Sequence, residues 1–313
     1  MSIRNFSPAD DSLAVAVLKA LVCPECRGGL DGATSPCDIG ATSPCVKGLP
    51  HRIVCGKCRR EFGTVEGVPV FFNGSDAPSY TVTAGPAAVE WKSPFKRLVK
   101  RLSPRASLTA FVDKTVFDYV NSIAGDELVL NLGSGIGRFD RLITRGNVVN
   151  LDIAWRPGVH VVADGHALPF RDGSFACVYS NAVLEHTARP WVVAEEIYRV
   201  LKPGGFACIN VPFLNIMHER FDYYRFTPQG LKIIFHRFEE IKSGASSGPG
   251  SFATYFIPEY ISLFVPSRRL SLLIRDILSG LLYPVKYLDY LIKNKERYML
   301  IADSFYFIGR KVD

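Results

Sequence analysis

The chain has 313 residues, 48% of them apolar and 21% charged, and a formal net charge of +7. That apolar share supports a packed core and excludes a disordered or low-complexity chain, while the modest cationic excess suits an anionic partner, nucleic acid or lipid surface, without requiring one. The first residues lack a basic-then-apolar leader, and the most apolar stretch, Leu270 to Leu288, is broken by Arg275, Asp276, Pro284 and Lys286, so a cytoplasmic protein without a spanning helix is expected.

Ser12 to Leu21 reads as a short apolar helix. Cys23-Pro-Glu-Cys26 and Cys55-Gly-Lys-Cys58 follow as two C-x-x-C pairs with 28 residues between them. Four thiolates presented by two such knuckles make a closed tetrahedral site, so the spacing points to structural zinc on Cys23, Cys26, Cys55 and Cys58. A pair of disulfides is the alternative, disfavoured in a reducing compartment. Cys37 and Cys45 sit in a direct repeat, Gly-Ala-Thr-Ser-Pro-Cys twice over; this reads as an expanded loop and both are taken as non-ligands. Cys177 and Cys208 lie in apolar strand runs and read as core.

Val68 to Phe72 reads as a strand. Residues 73–91 are rich in Gly, Ser, Ala and Pro and read as a linker, Phe95 to Leu102 as a basic helix, and Leu108 to Ile123 as an amphipathic helix. The expected organisation is a zinc module over 1–75, a linker with basic helix over 76–106, and one α/β domain over 107–313 with a helical insertion at 250–300.

Strand and helix then alternate. Strands are expected at Leu128–Leu132, Val148–Leu151, Val159–Val162, Cys177–Ser180, Phe206–Val211, Phe238–Ser243 and Ser304–Gly309. Helices are expected at Arg138–Thr144, Trp191–Leu201 and Thr227–Phe235. Lys202-Pro-Gly-Gly205 should stop the second helix, and Thr227 should cap the third with Pro228 at its first position. This order means a Rossmann-like, doubly wound, mostly parallel seven-stranded sheet with ligands at the carboxyl ends of its strands.

One turn carries chemistry. Val129-Leu-Asn-Leu-Gly-Ser-Gly-Ile-Gly137 places Gly133, Gly135 and Gly137 after the first of these strands, and Asp152 ends the next. Glycines allow close backbone approach to a ligand, and a carboxylate about twenty residues on can take both hydroxyls of a ribose. Arg138 follows Gly137, so the dinucleotide spacing G-x-G-x-x-G is broken, and no G-x-x-x-x-G-K-[ST] loop occurs. An adenosine-type cofactor is expected; an ordinary strand–helix turn is the bland reading of the glycines alone.

Asn131-Leu-Gly-Ser-Gly-Ile-Gly137, Asp152, Ala163-Asp164, Leu168-Pro-Phe170, Asn181-Ala-Val-Leu-Glu-His186 and Arg199-Val-Leu-Lys-Pro-Gly-Gly205 occur in this order. Over residues 125–245 the set resembles class I S-adenosylmethionine-dependent methyltransferases of the type 11 branch. The resemblance implies cofactor contacts at Asn131, Gly133, Ser134, Gly135, Gly137, Asp152, Asp164, Gly165 and Asn181. Asn131 stands where an acid is common, and Ala176 where Asp often follows Phe175. The segment Met217-His-Glu-Arg-Phe-Asp-Tyr-Tyr-Arg-Phe-Thr227 resembles one in methyltransferases linked to glycan biosynthesis. It implies Asp222, Tyr223, Tyr224 and Arg225 as acceptor-recognition residues. His titrates near neutral pH, so His218 and His186 are the candidate bases for a hydroxyl acceptor, with His218 favoured.

The cysteine module resembles zinc ribbons that activate tRNA and protein methyltransferases. Two functions follow. One is methyl transfer to an oxygen of a sugar, glycan precursor or related small metabolite, with a small-molecule or lipid-linked glycan acceptor. The other is methylation of an rRNA or tRNA base, with the ribbon binding RNA. The apolar-basic insertion suits either a cap over the site or peripheral contact with an anionic bilayer at the inner membrane face.

Overall fold

The computed structural model describes residues 9–31, 52–72, 115–137, 142–217 and 221–312. The linker, the basic helix, Cys37, Cys45 and His218 lie outside these residues, as does most of the helix expected after the glycine turn; Leu142 to Thr144, at its end, form no helix.

The strands are β1 (Leu30–Asp31), β2 (Arg52–Cys55), β3 (Glu61–Val65), β4 (Val68–Val70), β5 (Leu128–Leu132), β6 (Asn147–Asp152), β7 (Val161–Val162), β8 (Phe175–Asn181), β9 (Leu201–Pro212), β10 (Phe238–Ser247) and β11 (Ser304–Lys311). All join one sheet, in the order β1-β2-β3-β4-β7-β6-β5-β8-β9-β11-β10. The expectation of seven strands is therefore corrected to eleven among the described residues. The seven expected strands are present, and the cysteine segment adds four more at one edge. Its antiparallel meander β1–β4 meets β7 in parallel, with Val70 opposite Val162 and the Phe71 N–H donating to the Val162 carbonyl at 2.9 Å.

From β7 to β9 the pairing is parallel, while β11 runs antiparallel to both β9 and β10. The central strands are continuous apolar runs because helices and loops cover both faces. Alternate residues feed two cores. Leu130, Val178, Ile209 and Phe307 pack on one side with Ile197, and Val129, Tyr179, Cys208 and Ile308 on the other with Val116, Phe117 and Val120. The first core continues into Val17, Leu21, Ile53, Cys55, Phe62 and Phe71, so the cysteine segment shares it.

The helices are α1 (Ala9–Ala20), α2 (Thr115–Ile123), α3 (Pro190–Val200), α4 (Pro228–Ile234), α5 (Pro249–Ser262), α6 (Arg268–Leu282) and α7 (Asp289–Ile292). Thr227 caps α4 as expected, its Oγ1 accepting from the Gly230 N–H at 3.1 Å with Pro228 at the first position. Helix α3 ends one residue earlier than expected, and Lys202-Pro-Gly-Gly205 opens β9 instead of forming a stop turn. No helix among the described residues is long and apolar enough to cross a membrane.

Candidate active site and cysteine centre

The chain leaves β5 through Gly133, Gly135 and Gly137, whose φ values of 73°, 57° and 65° lie in the left-handed region. A Cβ on Gly133 would sit 2.2 Å from Val183 Cγ2, so that position has neither the space nor the backbone for a side chain. The N–H groups of Gly133 and Ser134 donate to the Leu151 carbonyl at 2.8 and 3.0 Å, tying the turn to β6.

Asp152, at the end of β6, is buried. Its Oδ2 accepts from the Gly135 N–H at 2.7 Å and its Oδ1 from the Ala154 N–H at 3.0 Å. The turn and the carboxylate expected from the sequence thus form one hydrogen-bonded unit at the carboxyl ends of β5 and β6. Asn131 lies beneath it. Its Nδ2 donates to Asn150 Oδ1 at 3.0 Å, and Asn150 donates in turn to the Gly158 carbonyl, so Asn131 ties strand to strand.

Asp164 follows β7. Its Oδ1 accepts from the His166 N–H at 2.9 Å and meets His166 Nδ1 at 2.6 Å. His166 Nε2 accepts from the Arg189 N–H at 3.3 Å, which leaves the ring proton on Nδ1, facing the carboxylate. Burial opposes ionisation of Asp164, but the bonds from His166 outweigh it and hold the carboxyl below its usual range. Gly165 lies beside Leu132 and Val193.

Asn181 ends β8, and its Oδ1 accepts from Asn210 Nδ2 of β9 at 2.6 Å. A polar chain not anticipated from the sequence begins there. Ser246 donates to Asn210 Oδ1 at 2.5 Å, Ser304 contacts both Ser246 and Ser247, and Ser247 donates to Asp303 Oδ2 at 2.5 Å. Tyr255 of α5 donates to Asp303 and to the Leu214 carbonyl. Burial pushes the Asp303 carboxyl up to about 6 against the bonds from Ser247 and Tyr255. The only sequence signal was Ser246-Ser247 and Asp303-Ser304 at the ends of apolar strand runs.

Leu184–His186 forms a short 3-10 turn after β8. His186 Nδ1 lies 2.8 Å from the Phe221 carbonyl. A carbonyl only accepts, so the neutral ring carries its proton on Nδ1 and keeps its lone pair on Nε2. The buried Glu185 takes the Tyr223 N–H at 2.7 Å on its carbonyl. The loop after β9 is thereby drawn against His186. Within it, the Arg225 guanidinium is bidentate on the Asp222 carboxylate, whose side chain is fully buried, and also donates to the carbonyls of Asn215 and Ile216. The Tyr224 hydroxyl donates to the Ala188 carbonyl at 3.1 Å. Of the four residues expected to recognise an acceptor, Tyr223 is the exposed one.

The four expected metal-ligating cysteines come together. All four Sγ atoms lie within 4.8 Å of one another, with Cys23–Cys58 at 3.7 Å and Cys26–Cys55 at 3.4 Å. A tetrahedron of thiolates about 2.3 Å from Zn²⁺ has edges of about 3.8 Å, so the donor set fits a divalent metal of this kind. The two knuckles repeat each other. Arg27 and Arg59, each just past its second cysteine, have φ of 59° and 60°, and their N–H groups donate to the carbonyls of Cys23 and Cys55. Burial works against ionisation of Cys55, but the backbone N–H donors of Cys58 and Lys57 outweigh it and pull this thiol down to about 6, while Cys58, despite the Arg60 N–H, is pushed the other way by its cysteine neighbours.

Residues 130–209 match the family model described as methyltransferase domain. An uncharacterized methyltransferase of Mycolicibacterium gilvum (strain PYR-GCK) is 49% identical over 55 residues, covering 18% of this chain and 22% of that one. A second, from Mycobacterium sp. (strain KMS), is 34% identical over 98 residues, covering 28% of this chain and 39% of that one. The chain thus spans well under half the length of these curated relatives. Among solved structures, phosphoethanolamine N-methyltransferase 2 of Haemonchus contortus, in complex with S-adenosyl-L-methionine, aligns with a TM-score of 0.41 at 16% identity, over 64% of this chain and 52% of that one.

Proposed function

We propose that the chain transfers a methyl group from S-adenosylmethionine to a hydroxyl oxygen of a sugar, glycan precursor or related small metabolite, and that a structural zinc ion sits on Cys23, Cys26, Cys55 and Cys58. The observation that carries the reading is the Asp152 carboxylate bonded across the glycine turn at the sheet's carboxyl edge. It is buried, each of its oxygens accepts a backbone N–H, and it would offer a ribose diol an acceptor pair.

Gly133, Ser134, Gly135 and Gly137 would pass beside the methionine and ribose, Asp152 would take the ribose hydroxyls, and Asp164 would accept from the adenine amino group, oriented by His166. When bound, the cofactor supplies a methyl group already activated on a sulfonium. The protein's task is then to align the acceptor and remove its proton. His186 suits proton removal at Nε2 because the Phe221 carbonyl fixes the other nitrogen as the donor. His218, outside the described residues, is the base favoured from the sequence, with His186 as the alternative. The Asp222–Arg225 pair would hold this loop in shape, and Tyr223 would meet the acceptor.

Two measurements test the reading. Calorimetry should show S-adenosylmethionine binding to the purified protein; no binding by folded, metal-replete protein would overturn it. Incubation with methyl-labelled cofactor and cell fractions should place label in a glycan or small-metabolite fraction. Label confined to RNA, with binding that falls steeply as salt rises, would assign the chain to nucleic-acid modification instead.

A further inference from the structure

Helix α6 (Arg268–Leu282) has an amphipathic sequence yet buries none of its side chains. Leu270, Ile277 and Leu281 recur at i, i+7 and i+11, which places them on one stripe of a helix. They are 48%, 44% and 70% exposed, so this stripe faces outward and not toward the core. Elsewhere in the same insertion Leu263, Phe264, Leu291 and Leu300 are each at least 70% exposed. An apolar surface of this extent on a folded chain marks a contact site.

Charge identifies the contact. Arg268, Arg269, Lys293, Lys295 and Arg297 are exposed in the same insertion. Its carboxylates do not balance them. Glu259 and Asp276 both lie on Arg275, at 3.5 and 3.8 Å, and Asp289 is buried, accepting from the N–H groups of Gly250 and Ser251 at the start of α5. Glu296 is the remaining exposed acid of the insertion. A two-fold contact between copies would bring this cationic set against itself. A bilayer with anionic headgroups matches both features, since the leucines enter the acyl boundary while the cations stay at headgroup level.

We infer that the insertion Pro249–Ile301 docks this protein on an anionic membrane surface, with the outward stripe of α6 as the inserting face. The inference does not depend on the acceptor's identity, because the stripe lies outside the residues assigned to the cofactor and the base.

Flotation of the full, metal-replete chain with vesicles tests it. Vesicles of phosphatidylcholine containing about one quarter phosphatidylglycerol should carry the protein, pure phosphatidylcholine vesicles at least tenfold less, and added salt should weaken the capture. Ile277→Asp with Leu281→Asp should reduce capture tenfold or more, and R268E/R269E should remove the preference for phosphatidylglycerol. Both pairs are exposed, so thermal melts and S-adenosylmethionine binding should stay at the wild-type level. Leu291→Asp, outside α6, gives an independent reading if the first pair perturbs folding. Equal capture by both vesicle types, or none by either, would overturn the inference. So would a stable dimer by light scattering that Leu281→Asp converts to monomer, which would assign the face to a second copy.

Discussion

Arg27 and Glu196 meet at 2.8 Å, joining the first cysteine knuckle to helix α3. The same carboxylate accepts from the Leu168 N–H at 2.7 Å and from the Arg199 guanidinium at 2.8 and 2.9 Å, while both arginines donate to the Leu168 carbonyl. Burial opposes ionisation of Glu196, but Arg199 and Arg27 outweigh it and hold the group below the usual carboxylate range. Arg27 reaches this point because the left-handed residue after Cys26 swings the chain out of the knuckle. Two segments that marked the family resemblance, Leu168-Pro-Phe170 and Arg199-Val-Leu, are thus half of the clamp that seats the cysteine module.

Glu196→Ala should therefore lower global stability by about 2–4 kcal/mol, because two cations and a buried N–H lose one acceptor. Urea unfolding followed by far-UV and near-UV signals should show one shifted transition. Separate transitions for the cysteine segment and the sheet would show that the clamp does not couple them.

Metal removal should propagate in the same way. Cys55 belongs to the core that also contains Leu130, Val178 and Ile209. Chelation or Cys55→Ser should lower the melting temperature of the whole chain and not release 20–72 alone. Hydrogen exchange would read this directly through faster exchange in β6 and β7 as well as in β2 and β3. Cys37→Ser and Cys45→Ser should leave zinc content unchanged by elemental analysis.

Asp152→Ala should weaken S-adenosylmethionine binding by about 1–3 kcal/mol, since the ribose loses a charged acceptor. Gly133→Ala should abolish binding with a measurable loss of stability, because the added methyl meets Val183 in a left-handed backbone. Calorimetry on both variants, with circular dichroism to verify the fold, checks these outcomes. Unchanged affinity in Asp152→Ala would remove the ribose assignment.

Asp303 gives the protein a pH signature. Its folded carboxyl titrates near 6, above the unfolded value of about 3.9. A carboxyl raised by folding prefers its proton in the native state, so its stabilising contribution is complete below about pH 3.9 and is lost as pH rises through 6. The loss amounts to about 3 kcal/mol. Asp303→Asn mimics the protonated acid and should raise the melting temperature at about pH 8 while changing it little at about pH 4. A uniform destabilisation at both values would show that the ionised form is the one the fold needs.

The two histidines separate by kinetics once an acceptor is in hand. Replacing the base by Ala should lower turnover by about 10²–10⁴ with cofactor affinity nearly unchanged, and replacing the other should act on acceptor affinity. Near-wild-type turnover in both His186→Ala and His218→Ala would point to a nitrogen or carbon acceptor already nucleophilic enough to need no base.

Much of the sheet was legible because its signals are local. Leu128–Leu132 is an apolar run interrupted by Asn131 and followed by glycine, and Thr227-Pro228 is a self-contained helix start, so each appears where the residues place it. The glycine turn and Asp152 were readable for the same reason. The join between the cysteine segment and β7 was not, since a two-residue strand and one parallel register position leave no periodic trace. Nor was the Asn181-to-Asp303 chain, whose members come from β8, β9, β10, α5 and β11 and meet only once the sheet is ordered. Asp222 and Arg225 illustrate a different limit: the resemblance offered them as groups for gripping a ligand, and only coordinates show them engaged with each other.

The Val70–Val162 pairing has a further consequence for how the protein behaves in bulk. Without β4, the parallel run would end at β7 with unpaired N–H and C=O groups facing water, a template for any other extended chain. With it, the terminal strand at that end among the described residues is β1, only two residues long and a poor template. The cysteine module therefore acts as a cover on an adhesive edge. A chain lacking the module would present β7 to strand addition, so its loss of stability would be accompanied by self-association.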